Sequence, residues 1–196
     1  MFKAGFNCDE VWVAVSDCDE NKALGHDGMN LNLIRSNWEV IQEDFMKFIE
    51  CFHDNSSTVK GLNSTFITII PKCTKLESMK DFCPISLVGS IYKVLAKVLA
   101  NQLKKVMNSI ISDCQMVFVK DRRIVDNFII AKEIVHKWQR DKEGGLLIKL
   151  DFEKAYDSVD HSFLDNMIRN MGFGEKWRKW MRDCISTPDH FSAYER

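Results

Sequence analysis

Six residues, TFITII at 65–70, form a β-rich apolar run closed by Pro71, and on both sides of it the apolar residues repeat at helical spacing. A strand this short cannot bury itself, so the helices around it must supply the cover. In residues 29–53, Leu33, Ile34, Trp38, Ile41, Phe45, Phe48, Ile49 and Phe52 recur at steps of one, three and four, which predicts one amphipathic helix. Asp27 and Gly28 stand where its cap would be. In residues 87–111, Leu87, Ile91, Val94, Leu95, Val98, Leu99, Val106, Met107 and Ile110 mark a second helix. Ile124, Phe128, Ala131, Val135 and Trp138 mark a third, and Gly144-Gly145 breaks the chain after it. Residues 146–150 (LLIKL) read as another strand. Helical spacing then returns in Phe163, Leu164, Met167, Ile168 and Met171, stopped by Gly172, and again in Trp177, Trp180, Met181 and Cys184, where the tryptophans read as core. Strands interleaved with helices predict an α+β unit, helix-rich with short β-strands.

The 196 residues, 45% of them hydrophobic, suffice for one sizeable core, or one core and a small lobe. Seven cysteines at 8, 18, 51, 73, 83, 114 and 184 contain no C-x-x-C pair, which argues against zinc and for free thiols in a reducing, intracellular setting. The first fifteen residues carry charges within their apolar stretch, and no apolar run approaches the ~18 residues of a membrane span. Nothing directs secretion or anchoring, and no membrane partner is expected.

The net charge of −1 is unevenly spread. Residues 1–59 hold 4 Lys/Arg and 11 Asp/Glu, residues 60–150 hold 16 and 8, and residues 151–196 hold 7 and 9. The basic middle is either a phosphate-binding surface or a set of solvated helix faces. Within it Lys93, Lys97 and Lys104 fall within about 40° of each other on the helix of residues 87–111, a stripe able to follow a nucleic-acid backbone.

The chemistry-bearing stretch is LLIKLDFEKAYDSVD at 146–160. Alternation puts Leu147, Lys149 and Asp151 on one face, and a carboxylate that ends a buried strand needs a cation or a pairing partner. Magnesium, bridging one or two carboxylates to substrate phosphates, suits a hard oxygen ligand; the plainer reading is that Asp151 caps the turn that follows.

LLIKLDFEKAYDSVDHSFL resembles the first carboxylate motif of reverse transcriptases of non-long-terminal-repeat retrotransposons, the LINE-type elements abundant in plant genomes. The resemblance continues in order along the chain, from about residue 10 to 187. NKALGHDGMN is similar to that family's N-K-x-P-G-P-D-G segment, and GLNSTFITIIPK to its first fingers strand. DFCPISLVGSIYKVLAKVLANQLKKV resembles its D-F-R-P-I-S-L block, and QMVFVKDRRIVDN its Q-x-x-F-V-x-G-R-x-I-x-D-N block.

The resemblance implies an RNA-directed DNA polymerase, a nucleotidyltransferase built like a right hand. Residues 1–59 would be an acidic helical part of the fingers, 60–145 a basic fingers region, and 146–196 a partial palm. Asp151 would be the first metal-binding aspartate, holding Mg2+ with the Phe152 carbonyl as an extra ligand. Ala155 and Tyr156 would line the nucleotide pocket, with Tyr156 as the steric gate against a ribose 2′-hydroxyl. Lys72 would meet the phosphates of the incoming deoxynucleoside triphosphate. Gln115, Arg122 and the Lys93, Lys97 and Lys104 stripe would lie near the RNA template or the DNA primer. Asp157 has no chemical role in this scheme, and the family suggests residence in the nucleus.

Four positions depart from the family pattern. Cys83 stands where the family carries a triphosphate-clamping arginine, and a thiol cannot supply a guanidinium fork, so triphosphate binding should weaken. Leu24 and His26 replace prolines, and Asp121 replaces a glycine, which should strain or reshape that loop. Two-metal phosphoryl transfer also needs more than one carboxylate. The family takes the others from a later Asp-Asp hairpin, and no Asp-Asp pair occurs in these 196 residues. The expectation is therefore a fragment truncated before the second carboxylate motif and inactive alone. The competing readings are a non-catalytic RNA- or DNA-binding module and an inert pseudogene product.

Overall fold

A computed structural model describes residues 5–150 and 158–186, and the backbone of 190–191. The chain divides into two compact units, Met1–Ala100 with His161–Arg196, and Asn101–Asp160.

The first unit begins with helix α1 (Cys8–Asp17), started by Asn7, whose Oδ1 accepts the Glu10 N–H at 2.7 Å. The stretch expected as one helix over 29–53 is two, α2 (Leu31–Ser36) and α3 (Trp38–Asn55). The break falls at Asn37, whose side-chain amide donates to the Leu33 carbonyl at 2.8 Å and competes with the helical ladder. The cap of α2 is Asn30, accepting from the Asn32 N–H at 2.7 Å, and not Asp27 with Gly28.

Strand β1 (Thr65–Pro71) pairs antiparallel with β2 (Phe82–Val88), in register from Thr65 opposite Val88 to Pro71 opposite Phe82. The backbone of β3 (His190–Phe191) runs parallel to β1 at Thr65 and Phe66, so the order is β2-β1-β3. Pro84 sits on the outer strand, where a missing N–H costs no ladder bond. Helix α4 (Ser90–Ile110) follows, so Leu87, counted in the sequence with that helix, belongs to β2. Helices α6 (His161–Asn170) and α7 (Glu175–Ser186) flank Gly172, which turns the chain at φ 85°.

Val11, Ala14 and Val15 of α1, Phe45, Ile49 and Phe52 of α3, Val94, Leu95 and Val98 of α4, and Trp177 and Trp180 of α7 are buried in this unit. The two α7 tryptophans are therefore core residues, as their spacing predicts. Trp180 lies 5.7 Å from the Phe52 ring and 5.3 Å from Phe6. Burying one such side chain stabilises the fold by about 1.5–3 kcal/mol.

The second unit contains the end of α4, a loop through residues 111–123, and helix α5 (Ile124–Asp141). The expected amphipathic face of α5 forms, but no residue of that helix is buried, and Phe128 is 70% exposed. Residues 146–150 are not a strand, contrary to the sequence reading. No described strand pairs with them, and a lone extended segment has no ladder to hold it. Leu146, Leu147, Ile148 and Leu150 are accordingly exposed.

All seven cysteines are free thiols. No helix among the described residues is long and apolar enough to cross a membrane.

Candidate nucleotide and nucleic-acid site

The β1–β2 hairpin places Lys72 directly beyond β1. Its N–H donates to the Asp81 carbonyl at 2.7 Å, and its Nζ to the Lys80 carbonyl at 3.1 Å. Asp81 in turn accepts the N–H groups of Glu77 and Ser78 at 2.9 and 2.8 Å, and these backbone donors hold its carboxyl below the usual range. The hairpin end is thus cross-braced around Lys72. Cys83 is exposed on the facing strand, opposite Ile70.

A junction at the other end of the hairpin ties the GHDG segment to the start of α4. Asp27 accepts the Met29 N–H through Oδ1 and the Ser90 N–H through Oδ2, and the Ser90 hydroxyl donates to the Met29 carbonyl at 2.7 Å. A carboxylate at this helix N-terminus satisfies an orphan donor and faces the positive end of the dipole. The backbones meet so closely that a Cβ on Gly25 would collide with the Val88 carbonyl and Gly89. Sequence reading gave Asp27 only a local capping role, because nothing in a linear pattern shows a partner 63 residues away.

Of the stripe on α4, Lys93 donates to the Ala23 carbonyl at 3.0 Å and Lys97 pairs with Asp17 at 3.7 Å. Lys104 is exposed and has no partner among the described residues. Gln115 donates to the Val117 carbonyl at 3.2 Å. Arg122, its side chain only 13% exposed, donates to the carbonyls of Ser112, Gln115 (2.8 Å) and Ile111 (3.2 Å) and pairs with Asp113 at 3.2 Å. Asp121, at the family's glycine position, adopts φ 66°, so the left-handed turn is kept with an aspartate in it. Phe118 in the same loop also has a positive φ, 62°.

Asp151, Phe152, Ala155, Tyr156 and Asp157 lie outside the described residues. Among the described residues no group of three His, Cys, Asp or Glu side chains is placed to hold a metal ion.

The family description "Reverse transcriptase (RNA-dependent DNA polymerase)" matches residues 70–196, and the chain belongs to that family. It is similar to the "Transposon TX1 uncharacterized 149 kDa protein" of Xenopus laevis, 26% identical over 92% of this chain and 14% of that protein. It is also similar to the "Retrovirus-related Pol polyprotein from type-1 retrotransposable element R2" of Popillia japonica, 21% identical over 61% of this chain and 16% of that protein. The aligned part is thus about a seventh of the length of these relatives.

Proposed function

We propose that this chain supplies the fingers and the first part of the palm of an RNA-directed DNA polymerase encoded by a non-long-terminal-repeat retrotransposon. The observation that carries the reading is the family match over residues 70–196, which takes in both Lys72 and the Asp151–Tyr156 motif. Two relatives named for transposable elements support the retrotransposon part.

In this reading Lys72, held at the end of β1, meets the triphosphate of the incoming deoxynucleotide. Asp151 and the Phe152 carbonyl would hold a magnesium ion, which when bound would offset charge on the transferring phosphoryl group. Tyr156, next to Ala155 in sequence, would exclude a 2′-hydroxyl. Cys83 leaves the triphosphate without a guanidinium clamp, so nucleotide binding is weak. Lys104 and Gln115 lie along template or primer, while Arg122, occupied with its own loop, shapes that surface. Because no Asp-Asp pair occurs in these 196 residues, we hold the chain insufficient for polymerisation by itself.

Primer extension on an RNA template with magnesium tests the last point: neither the chain nor its Asp151→Asn variant should extend. Extension lost only in Asp151→Asn would show that other carboxylates complete the metal site and would overturn it. A photoreactive deoxynucleoside triphosphate tests the nucleotide site, since labelling should fall in Lys72→Ala. Labelling unchanged by that substitution removes Lys72 from the site.

A further inference from the structure

The polymerase reading uses the tip of the β1–β2 hairpin, where Lys72 and Cys83 lie. A separate cleft of about 570 Å³ opens at the other end, where the last turn of α1, the segment after it, the end of β2 and the N-terminal half of α4 meet. From Cys83 to Val88 the strand rises about 17 Å, so the two places are distinct. The volume lies within the range of small-molecule sites.

Its floor is apolar, from Leu31, Val88 and Ala96, with Ala100 exposed at its edge, and its lining carries three lysines with two aspartates. The charges on the rim are not balanced pair for pair. Lys97 faces Asp17 at 3.7 Å, whereas Lys93 meets only the neutral Ala23 carbonyl at 3.0 Å. Lys22 has no hydrogen-bond or ion-pair partner among the described residues. Asp19 accepts the Asn21 N–H at 3.0 Å and keeps its charge. Three lysines against two carboxylates leave the lining with one positive charge in excess, and Lys22 and Lys93 are the two lysines without an ion pair among the described residues.

The ligand that answers this arrangement has a flat apolar body and a compact dianion. We propose that the cleft binds a nucleoside 5′-monophosphate unit, its phosphate between Lys22 and Lys93 and its base against Ala96 and Ala100. A phosphate monoester carries about −1.5 to −2 charges near neutral pH, which Lys22 and Lys93 would offset against the remaining charge of Asp19. Asp17, with one oxygen on Lys97, has a second free to accept from a sugar hydroxyl. The unit is either a free nucleotide or the end of a single strand.

Titration calorimetry on the 196-residue chain with adenosine 5′-monophosphate, inorganic phosphate and a short 5′-phosphorylated oligoribonucleotide tests the assignment. The monophosphate should bind saturably and about tenfold more tightly than phosphate, because only it uses the floor. Lys22→Ser, on an exposed segment, should weaken it about tenfold or more. Ala96→Phe should block the cleft. Binding of the oligonucleotide alone, still lost in Lys22→Ser, keeps the site and assigns it to a strand. Monophosphate binding no tighter than phosphate overturns the proposal, as does absence of binding by both nucleotide probes. Equal sensitivity to Lys72→Ala and Lys22→Ser would place the bound nucleotide at the hairpin tip and also overturn it, whatever becomes of the polymerase reading.

Discussion

Two arginines do the same work at two helix ends. Arg35 reaches the last turn of α1, donating to the carbonyls of Val15, Ser16 and Cys18 at 3.4, 3.0 and 2.9 Å while pairing with Glu20 at 3.0 Å. Arg122 does likewise just past α4, at Ile111, Ser112 and Gln115. A fixed fork of donors suits the orphan carbonyls of a helix C-terminus, and its charge suits the negative end of the dipole. For Arg122 the resemblance implied a place near the template, and the internal role was invisible because its acceptors are backbone atoms that leave no mark in a sequence. Replacing Arg122 with methionine should lower the unfolding free energy by about 1.5–3 kcal/mol and speed amide exchange across residues 111–123. Exchange as slow as in the parent chain would mean that the loop keeps its shape without these bonds.

At the scale of elements, α6 and α7 are joined by a four-residue ion network. Asp165 accepts from Arg178 through both oxygens and from Arg182 at 3.1 Å, and Glu175 pairs with Arg178 at 2.9 Å and Arg182 at 2.6 Å. Hydrogen bonds from Arg178 to Asp165 and from Arg182 to Glu175 hold both carboxyls below their ordinary values of 3.8 and 4.5. A depressed folded-state value means that the unfolded chain binds more protons in acid. The contribution is complete above the ordinary values and is lost as pH falls through the lower, folded ones. Fluorescence of the buried Trp177 and Trp180 during urea unfolding, from about pH 6 to about pH 3, should show a falling midpoint, with a shallower fall in Asp165→Asn. An equal fall in both proteins would remove the network as the cause. Helices α4 and α7 were legible in the sequence because each buries a face that repeats at helical spacing, and α6 because the same spacing recurs in it although none of its residues is buried. Strand β2 was not, since Pro84 masks a strand that tolerates it only by lying at an edge. Helix α1 was overlooked although Asn7 and Glu10 mark its start, and the division at Asn37 depends on a side-chain bond that periodicity does not register. The run at 146–150 has strand composition without a described partner, and composition cannot supply one. Of the candidate site, the placement of Lys72 beyond a strand was legible, whereas the cleft beside α4 joins residues from four elements and had no linear signature.

For the whole molecule, a net charge of −1 conceals a basic stretch that the structure sorts into occupied and available cations. Lys97 and Arg122 are engaged with Asp17 and Asp113, while Lys104, Lys132 and Lys137 are exposed and form no ion pair among the described residues. Single-stranded RNA releases counterions from each phosphate that a cation neutralises, so the salt dependence of binding counts the cations in use. If these lysines of the second unit carry the RNA, replacing Lys104, Lys132 and Lys137 with glutamine should flatten the plot of log affinity against log salt by about 2, roughly 0.7 for each phosphate left without its cation. Lys97→Gln should leave the slope nearly unchanged, because that ammonium already answers a carboxylate. Asp151→Asn should also leave it unchanged, since binding of this kind needs no metal. Filter binding of a structureless RNA across a salt series reads all three. A slope that drops with Lys97→Gln but not with the triple variant would move the RNA to the face of α4 beside the cleft. A slope near zero in the parent chain would mean that the basic stretch is only a solvated surface.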